Sequence, residues 1–132
     1  AGVPVGDSGT TNLMKLQIIG SKLAQGLGVG NGSVVGKTVV ANSAEEANSK
    51  VKEGDILVAK TTDPDYMPAI KKASGMVVEA SGLTSHAAVV GLSLGIPVVV
   101  GATDATQKIS NGTTITVDAH RGAIYQGEIS NL

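Results

Sequence analysis

Gly75-Met76-Val77-Val78-Glu79-Ala80-Ser81-Gly82-Leu83-Thr84-Ser85-His86-Ala87-Ala88-Val89-Val90, continued by Gly95-Ile96-Pro97-Val98-Val99-Val100-Gly101, is the stretch that decides the fold. A short apolar strand over residues 75–79 runs into a loop of glycine and hydroxyl residues. An apolar helical run starting at His86 follows, and after Pro97 the three valines read as a second buried strand. Thr84, Ser85 and His86 open the helix directly after a glycine turn. The imidazole therefore sits where a helix N-terminus aims its free amides at a nearby anion.

Working outward, the same alternation continues on both sides. Ser43-Ala44-Glu45-Glu46 is a capping box, which starts a helix expected to reach about Lys52 and stop at Gly54. Asp55-Ile56-Leu57-Val58-Ala59 reads as a buried strand, and Asp63-Pro64 as a helix start whose inward face is Met67, Ile70 and Ala73. Ile115-Thr116-Val117-Asp118 and Ala123-Ile124-Tyr125-Gln126 form a hairpin across His120-Arg121-Gly122 that closes the sheet, with Asp118 as a side-chain partner for the turn. Gly26-x-Gly28-x-Gly30 lacks the spacing of a dinucleotide loop and follows a helix-like stretch rather than a strand, so it reads as turn material. Near the start, Leu13 to Ile19 has the near-alternation of a strand, with Gly20-Ser21-Lys22 as a boundary. The expected fold is α/β: a mostly β core with two or three flanking helices, preceded by a short strand arm.

Composition narrows the function classes. A chain of 132 residues that is 42% hydrophobic buries one ordinary core. With two Tyr and no Phe or Trp, it has no stacking surface for single-stranded nucleic acid. Net charge is -1, and the ten basic residues are scattered rather than arrayed against a phosphate backbone. No nucleic-acid partner is expected. Cysteine is absent, which removes disulfides and thiolate zinc sites and fits a reducing cytoplasm; with two His, a histidine-rich metal site is not expected either. No apolar run approaches the roughly 20 residues of a membrane span, so no membrane partner is expected. The chain starts at Ala1 rather than Met and reads as a piece of a longer soluble protein.

His86 carries the main chemical hypothesis. A histidine nucleophile must be neutral to attack phosphorus, and the amides of a helix start stabilise the phosphoryl oxygens that arrive. Gly82, Thr84 and Ser85 would line such a group, the last two with hydroxyl donors; both hydroxyls serve equally well as plain N-caps. Glu79, at the preceding strand end, either orients His86, contacts a neighbouring domain, or is a solvated carboxylate. Ser8-Gly9-Thr10-Thr11-Asn12 offers amides and hydroxyls, those of Ser8, Thr10 and Thr11, that can hold an anion.

The Ser81 to His86 segment, with Gly95-Ile96-Pro97-Val98-Val99-Val100-Gly101 behind it, resembles the phosphohistidine region of the phosphoenolpyruvate-utilising enzymes, whose swivelling β/β/α-type domain carries Gly-Gly-x-Thr-Ser-His. More narrowly, Ala1 to Lys15 looks like the last loop and strand of the core of a long-form bacterial pyruvate kinase. Leu23 to Leu132 looks like the domain appended to it. The resemblance implies a division at residues 1–21 and 22–132, and a parent that transfers phosphate between phosphoenolpyruvate and ADP in glycolysis, with magnesium and potassium. It further implies packing against the parent's remaining domains in a homotetramer. Ser8, Thr10 and Thr11 would border a sugar-phosphate effector region. Three departures stand out: Ser81 replaces the first glycine of the pair, Leu92 stands where the phosphotransfer members place an arginine, and the pyruvate kinase reaction that the resemblance implies passes phosphate directly and needs no histidine carrier. The domain is then expected to have no cofactor and no catalytic group of its own and to act by structural or allosteric packing, with a phosphohistidine carrier acting through His86 as the alternative.

Overall fold

The structure, a computed structural model, describes residues 22–30, 32–81 and 85–127. The expected strand at 13–19 and the loop residues Ser8, Thr10, Thr11, Gly82 and Thr84 lie outside the described residues. The elements in chain order are β1 Lys22–Gln25, β2 Leu27–Val29, β3 Ser33–Val40, α1 Ala44–Lys50, β4 Ile56–Ala59, a 3-10 turn Pro64–Tyr66 running into α2 Met67–Lys72, β5 Gly75–Val78, α3 His86–Leu94, β6 Val98–Val100, α4 Ala105–Lys108, β7 Thr114–Asp118 and β8 Ala123–Gln126.

The strands run in the order β1-β8-β7-β3-β4-β5-β6-β2. β3, β4, β5 and β6 are mutually parallel, and every other pairing is antiparallel. β3 serves two sheets: Ser33 to Lys37 pair with β7, and Thr38 to Val40 pair with β4. The two ends of the order, β1 and β2, are successive in the chain and separated only by Gly26.

Side-chain alternation along the central strands builds two cores. Ile56, Val58, Val77 and Val99 point to one side and meet Ala24, Ile115, Val117 and Ile124 from the other sheet and Ile109 at the end of α4. Leu57, Ala59, Met76, Val78, Val98 and Val100 point to the opposite side and meet Ala47, Val51, Tyr66, Ala69, Ile70, Ala87 and Ala88 from α1, α2 and α3. The molecule is thus a three-layer sheet, sheet and helix arrangement, the expected β/β/α type. The central strands are apolar at every position because both of their faces are covered.

The helix signals act as the sequence requires. Ser43 Oγ accepts from the Glu46 amide at 3.1 Å, and Glu46 Oε1 reaches back to the Asn42 amide at 2.7 Å. The helix they start ends at Lys50, two residues earlier than expected. Asp63 Oδ1 accepts from the Asp65 amide at 2.9 Å, so Asp63-Pro64 begins the α2 segment with a 3-10 turn.

Three expectations are corrected. The stretch before Gly26 is strand β1, not helix-like. Lys22 to Gln25 are good helix formers one by one, but pairing with β8 overrides that weak preference. The glycine segment that follows is not turn material throughout, because Leu27 to Val29 form β2 against β6. Gly28 is needed there by close approach: a Cβ on it would lie 1.6 Å from the Ala119 carbonyl oxygen. The β7–β8 hairpin forms as expected but does not end the sheet, since β1 lies beyond β8. Among the described residues no helix is long and apolar enough to cross a membrane.

Candidate functional site

The C-terminal ends of β4, β5 and β6 lie side by side because the three strands are parallel neighbours. In an open parallel sheet this is the edge where ligands are bound. Thr62 follows β4, Glu79 to Ser81 follow β5, and Gly101 follows β6. Backbone bonds tie these ends together: Ala80 donates to the Lys60 carbonyl at 2.8 Å, and Gly101 donates to the Ala80 carbonyl at 2.9 Å.

α3 starts at this edge. Ser85 is its N-cap, with Oγ accepting from the Ala88 amide at 3.4 Å, so of the two roles open to this hydroxyl the structure displays the capping one. His86 is the first helical residue and is half-buried. Its Nδ1 lies 2.9 Å from the Thr62 hydroxyl, and Thr62 is itself buried, with 5% exposure. This contact fixes the ring orientation. In the tautomer with the proton on Nδ1, that N–H donates to Thr62 Oγ1 and Nε2 keeps its lone pair for an electrophile. The helix ends at Gly95, whose left-handed conformation (φ 75°) lets its amide close on the Gly91 and Leu92 carbonyls.

Glu79 does not reach His86. Its Oε2 accepts from the Thr106 amide at 2.8 Å and also from the Thr106 hydroxyl, so it holds the first turn of α4. The bond from the Thr106 hydroxyl holds the Glu79 carboxyl below its usual range; partial burial opposes this, and the Thr106 amide and the Lys60 charge assist. The orienting and solvated roles considered for Glu79 both give way to a latch between strand end and helix.

Of the expected site residues, the structure brings together Ser85 and His86 and adds Thr62, which sequence reasoning missed. Gly82 and Thr84 fall outside the described residues. The only local signal was that Thr61 and Thr62 follow the buried strand 56–59 by two and three residues; nothing in the sequence told the two apart or named His86 as the partner. Leu92, six residues beyond His86, points its side chain outward with 57% exposure. No group of three or more His, Asp or Glu gathers as a metal ligand set among the described residues.

Two other features lie apart from this edge. A groove of about 620 Å3 bordered by Lys37, Lys50, Lys52, Glu53, Asp55 and Asn111 lies at the opposite ends of the parallel strands. Its charges are partly matched in place, Lys50 by Glu46 and Asp55 by the Lys52 amide. In the hairpin turn, Asp118 accepts from the amides of His120 and Arg121 and from Arg121 Nη1 at 2.8 Å. His120 and Arg121 are turn residues, as expected.

Comparison with known proteins agrees with this geometry. The whole chain is 84% identical to pyruvate kinase of Lactobacillus delbrueckii subsp. bulgaricus and 57% identical to pyruvate kinase of Geobacillus stearothermophilus, spanning 22% of the length of each. Among solved structures, a solution structure of the Enzyme I (nEIt) protein matches with a TM-score of 0.51 and 28% identity, over 58% of this chain and 32% of that one. Aconitase X of Thermococcus kodakaraensis matches with a TM-score of 0.60 over 80% of this chain and 98% of its own; at 17% identity it shares the fold alone. The family described as PEP-utilising enzyme, mobile domain, matches residues 51–122, from the end of α1 through the His86 helix to the hairpin turn. With more than half of its length in that match, and with strand ends, cap and histidine arranged as described, the chain belongs to the mobile-domain family of phosphoenolpyruvate-utilising enzymes.

Proposed function

We propose that the chain is the C-terminal module of a pyruvate kinase and acts there by packing, setting the stability or allosteric state of the parent without supplying a catalytic group. The parent in this reading is a cytoplasmic homotetramer that moves phosphate between phosphoenolpyruvate and ADP in glycolysis. Its magnesium and potassium are held by the rest of the parent. The 1–21 arm belongs to the preceding core, with Ser8, Thr10 and Thr11 bordering an effector pocket that the rest of the parent completes. The observation that carries this reading is 84% identity, over all 132 residues, to a pyruvate kinase. Leu92 supports the packing role, since an apolar side chain there supplies no bidentate clamp for a phosphoryl group. Removing residues 22–132 from the parent is expected to lower the thermal midpoint of the tetramer or change its effector response. An unchanged tetramer with an unchanged response sinks the packing role.

A second reading is favoured by the Thr62 contact with His86 Nδ1. It makes His86 a phosphoryl carrier: Nε2 attacks the phosphorus of phosphoenolpyruvate, the P–O bond to the enol oxygen breaks, and the enolate takes up a proton to leave as pyruvate. Incubating the full-length parent and its His86→Ala variant with labelled phosphoenolpyruvate decides between the readings. Acid-labile label that depends on His86 supports the carrier; no label leaves packing alone.

A further inference from the structure

α3 reads His-Ala-Ala-Val-Val-Gly-Leu-Ser-Leu and holds no acidic, lysine or arginine residue. Ala87, Ala88 and Gly91 face the core, and Gly91 is so close to the sheet that a Cβ on it would lie 2.2 Å from Val98 Cγ2. The other side of the helix is mainly apolar as well, Ser93 being its one exposed polar residue. Val89 is 54% exposed, Leu92 57% and Leu94 43%. A surface helix ordinarily turns polar residues outward, and a helix that is apolar all round is one that other structure covers. Leu27, 52% exposed, extends this surface, because it shares a strand face with the core residue Val29 on β2, which packs beside α3. Among the described residues, Val35 is the other large apolar side chain of comparable exposure. Exposed apolar side chains gathered on one helix mark a docking face rather than ordinary surface.

We infer that the outward face of α3, formed by Val89 and Leu92 with Leu27 at its rim, is covered by the preceding domain of the same polypeptide; this rests on the reading of the chain as a pyruvate kinase module. The chain spans 22% of the pyruvate kinases it matches, so more than three quarters of such a parent lies outside it. In the proposed division residues 1–21 belong to the preceding core, and from Lys22, where β1 begins, five residues carry the backbone to Leu27. At 3.3 Å per residue, that is at most about 17 Å of chain. A domain tethered at this distance meets the face at a high effective concentration, whereas a second copy or an unlinked partner bears the full entropic cost of association. The occupant therefore presents an apolar surface in cis, and the face that begins with His86 is a buried joint in the assembled enzyme.

Full-length parent carrying Leu92→Cys, Val89→Cys or, as an exposed control on α4, Lys108→Cys tests this. Each is treated with maleimide under native conditions, and labelling is followed at each position by peptide mass spectrometry. Cysteines at 89 and 92 are expected to react at least tenfold more slowly than the one at 108, and equal rates overturn the inference. Placing the photo-cross-linker p-benzoylphenylalanine at position 92 then identifies the cover. An adduct at monomer mass joining peptides of the preceding domain supports it; an adduct at dimer mass assigns the face to a second copy and overturns it. Turnover of phosphoenolpyruvate and ADP by the same unlabelled parent reports separately on the pyruvate kinase reading, so the two fail by different observations.

Discussion

Among the described residues Asp118 is the most deeply placed acid, with 2% exposure, yet it is fully employed. Burial alone would push its carboxyl up, but the Arg121 guanidinium, with the Arg121 and His120 amides, holds it below the usual carboxylate range. An unfolded Asp titrates near ~3.9, so the unfolded chain takes up protons first as pH falls. The stability this group supplies is complete above that value and is lost as pH drops through the lower native value. Asp118→Asn keeps an acceptor for the turn amides but loses the ion pair. It is expected to cost about 1–3 kcal/mol at neutral pH, with a flatter loss of stability below about pH 4, read by urea denaturation across pH. Thr62→Val removes the partner of His86 Nδ1 at nearly constant shape, and the expected outcome is a changed balance between the two imidazole tautomers, read from the ring nitrogen shifts by NMR. An unchanged balance would show that Thr62 does not set the ring. Asp118 was legible in the sequence because its partners lie two and three residues away. Thr62 was not, because its partner is 24 residues distant and meets it only through the parallel pairing of β4 and β5.

Local signals worked wherever the chain satisfies itself locally. The Ser43 capping box and the Asp63-Pro64 start each appear in the structure at the residues that encode them, since each bond spans no more than a turn. The all-apolar runs at β4, β5 and β6 were equally clear, because burial on both faces leaves no polar position. β1 and β2 were not legible. Their strand character comes from partners about 100 and 70 residues away, β8 and β6, against a local sequence of helix formers and glycine. The same non-local packing makes one glycine far more sensitive than another. Gly28→Ala drives a Cβ onto the Ala119 carbonyl and is expected to cost about 3 kcal/mol or more, while Gly32→Ala has open space and only the strain of φ +85°, about 1 kcal/mol. Urea midpoints of the two variants check the difference, and equal costs would mean that the backbone near Ala119 yields.

The layer of β4, β5 and β6 contributes side chains to both cores, so neither core can open without exposing the other. Leu57→Ala, on the helix side, is expected to cost about 2–5 kcal/mol. It should do so in a single transition seen alike by far-UV circular dichroism and by the Tyr125 environment on β8, in the other sheet. Two separated transitions would mean that the outer sheet melts on its own. A mechanical consequence follows from Gly26, which joins the first and last strands of the sheet order. Tension applied through residue 22 loads the β1–β8 bonds first and the β2–β6 bonds next, peeling open the seam that shuts the fold. Any swing of this domain relative to a neighbour is therefore expected to hinge before Lys22, because a hinge within β1 would unzip the domain it is meant to move.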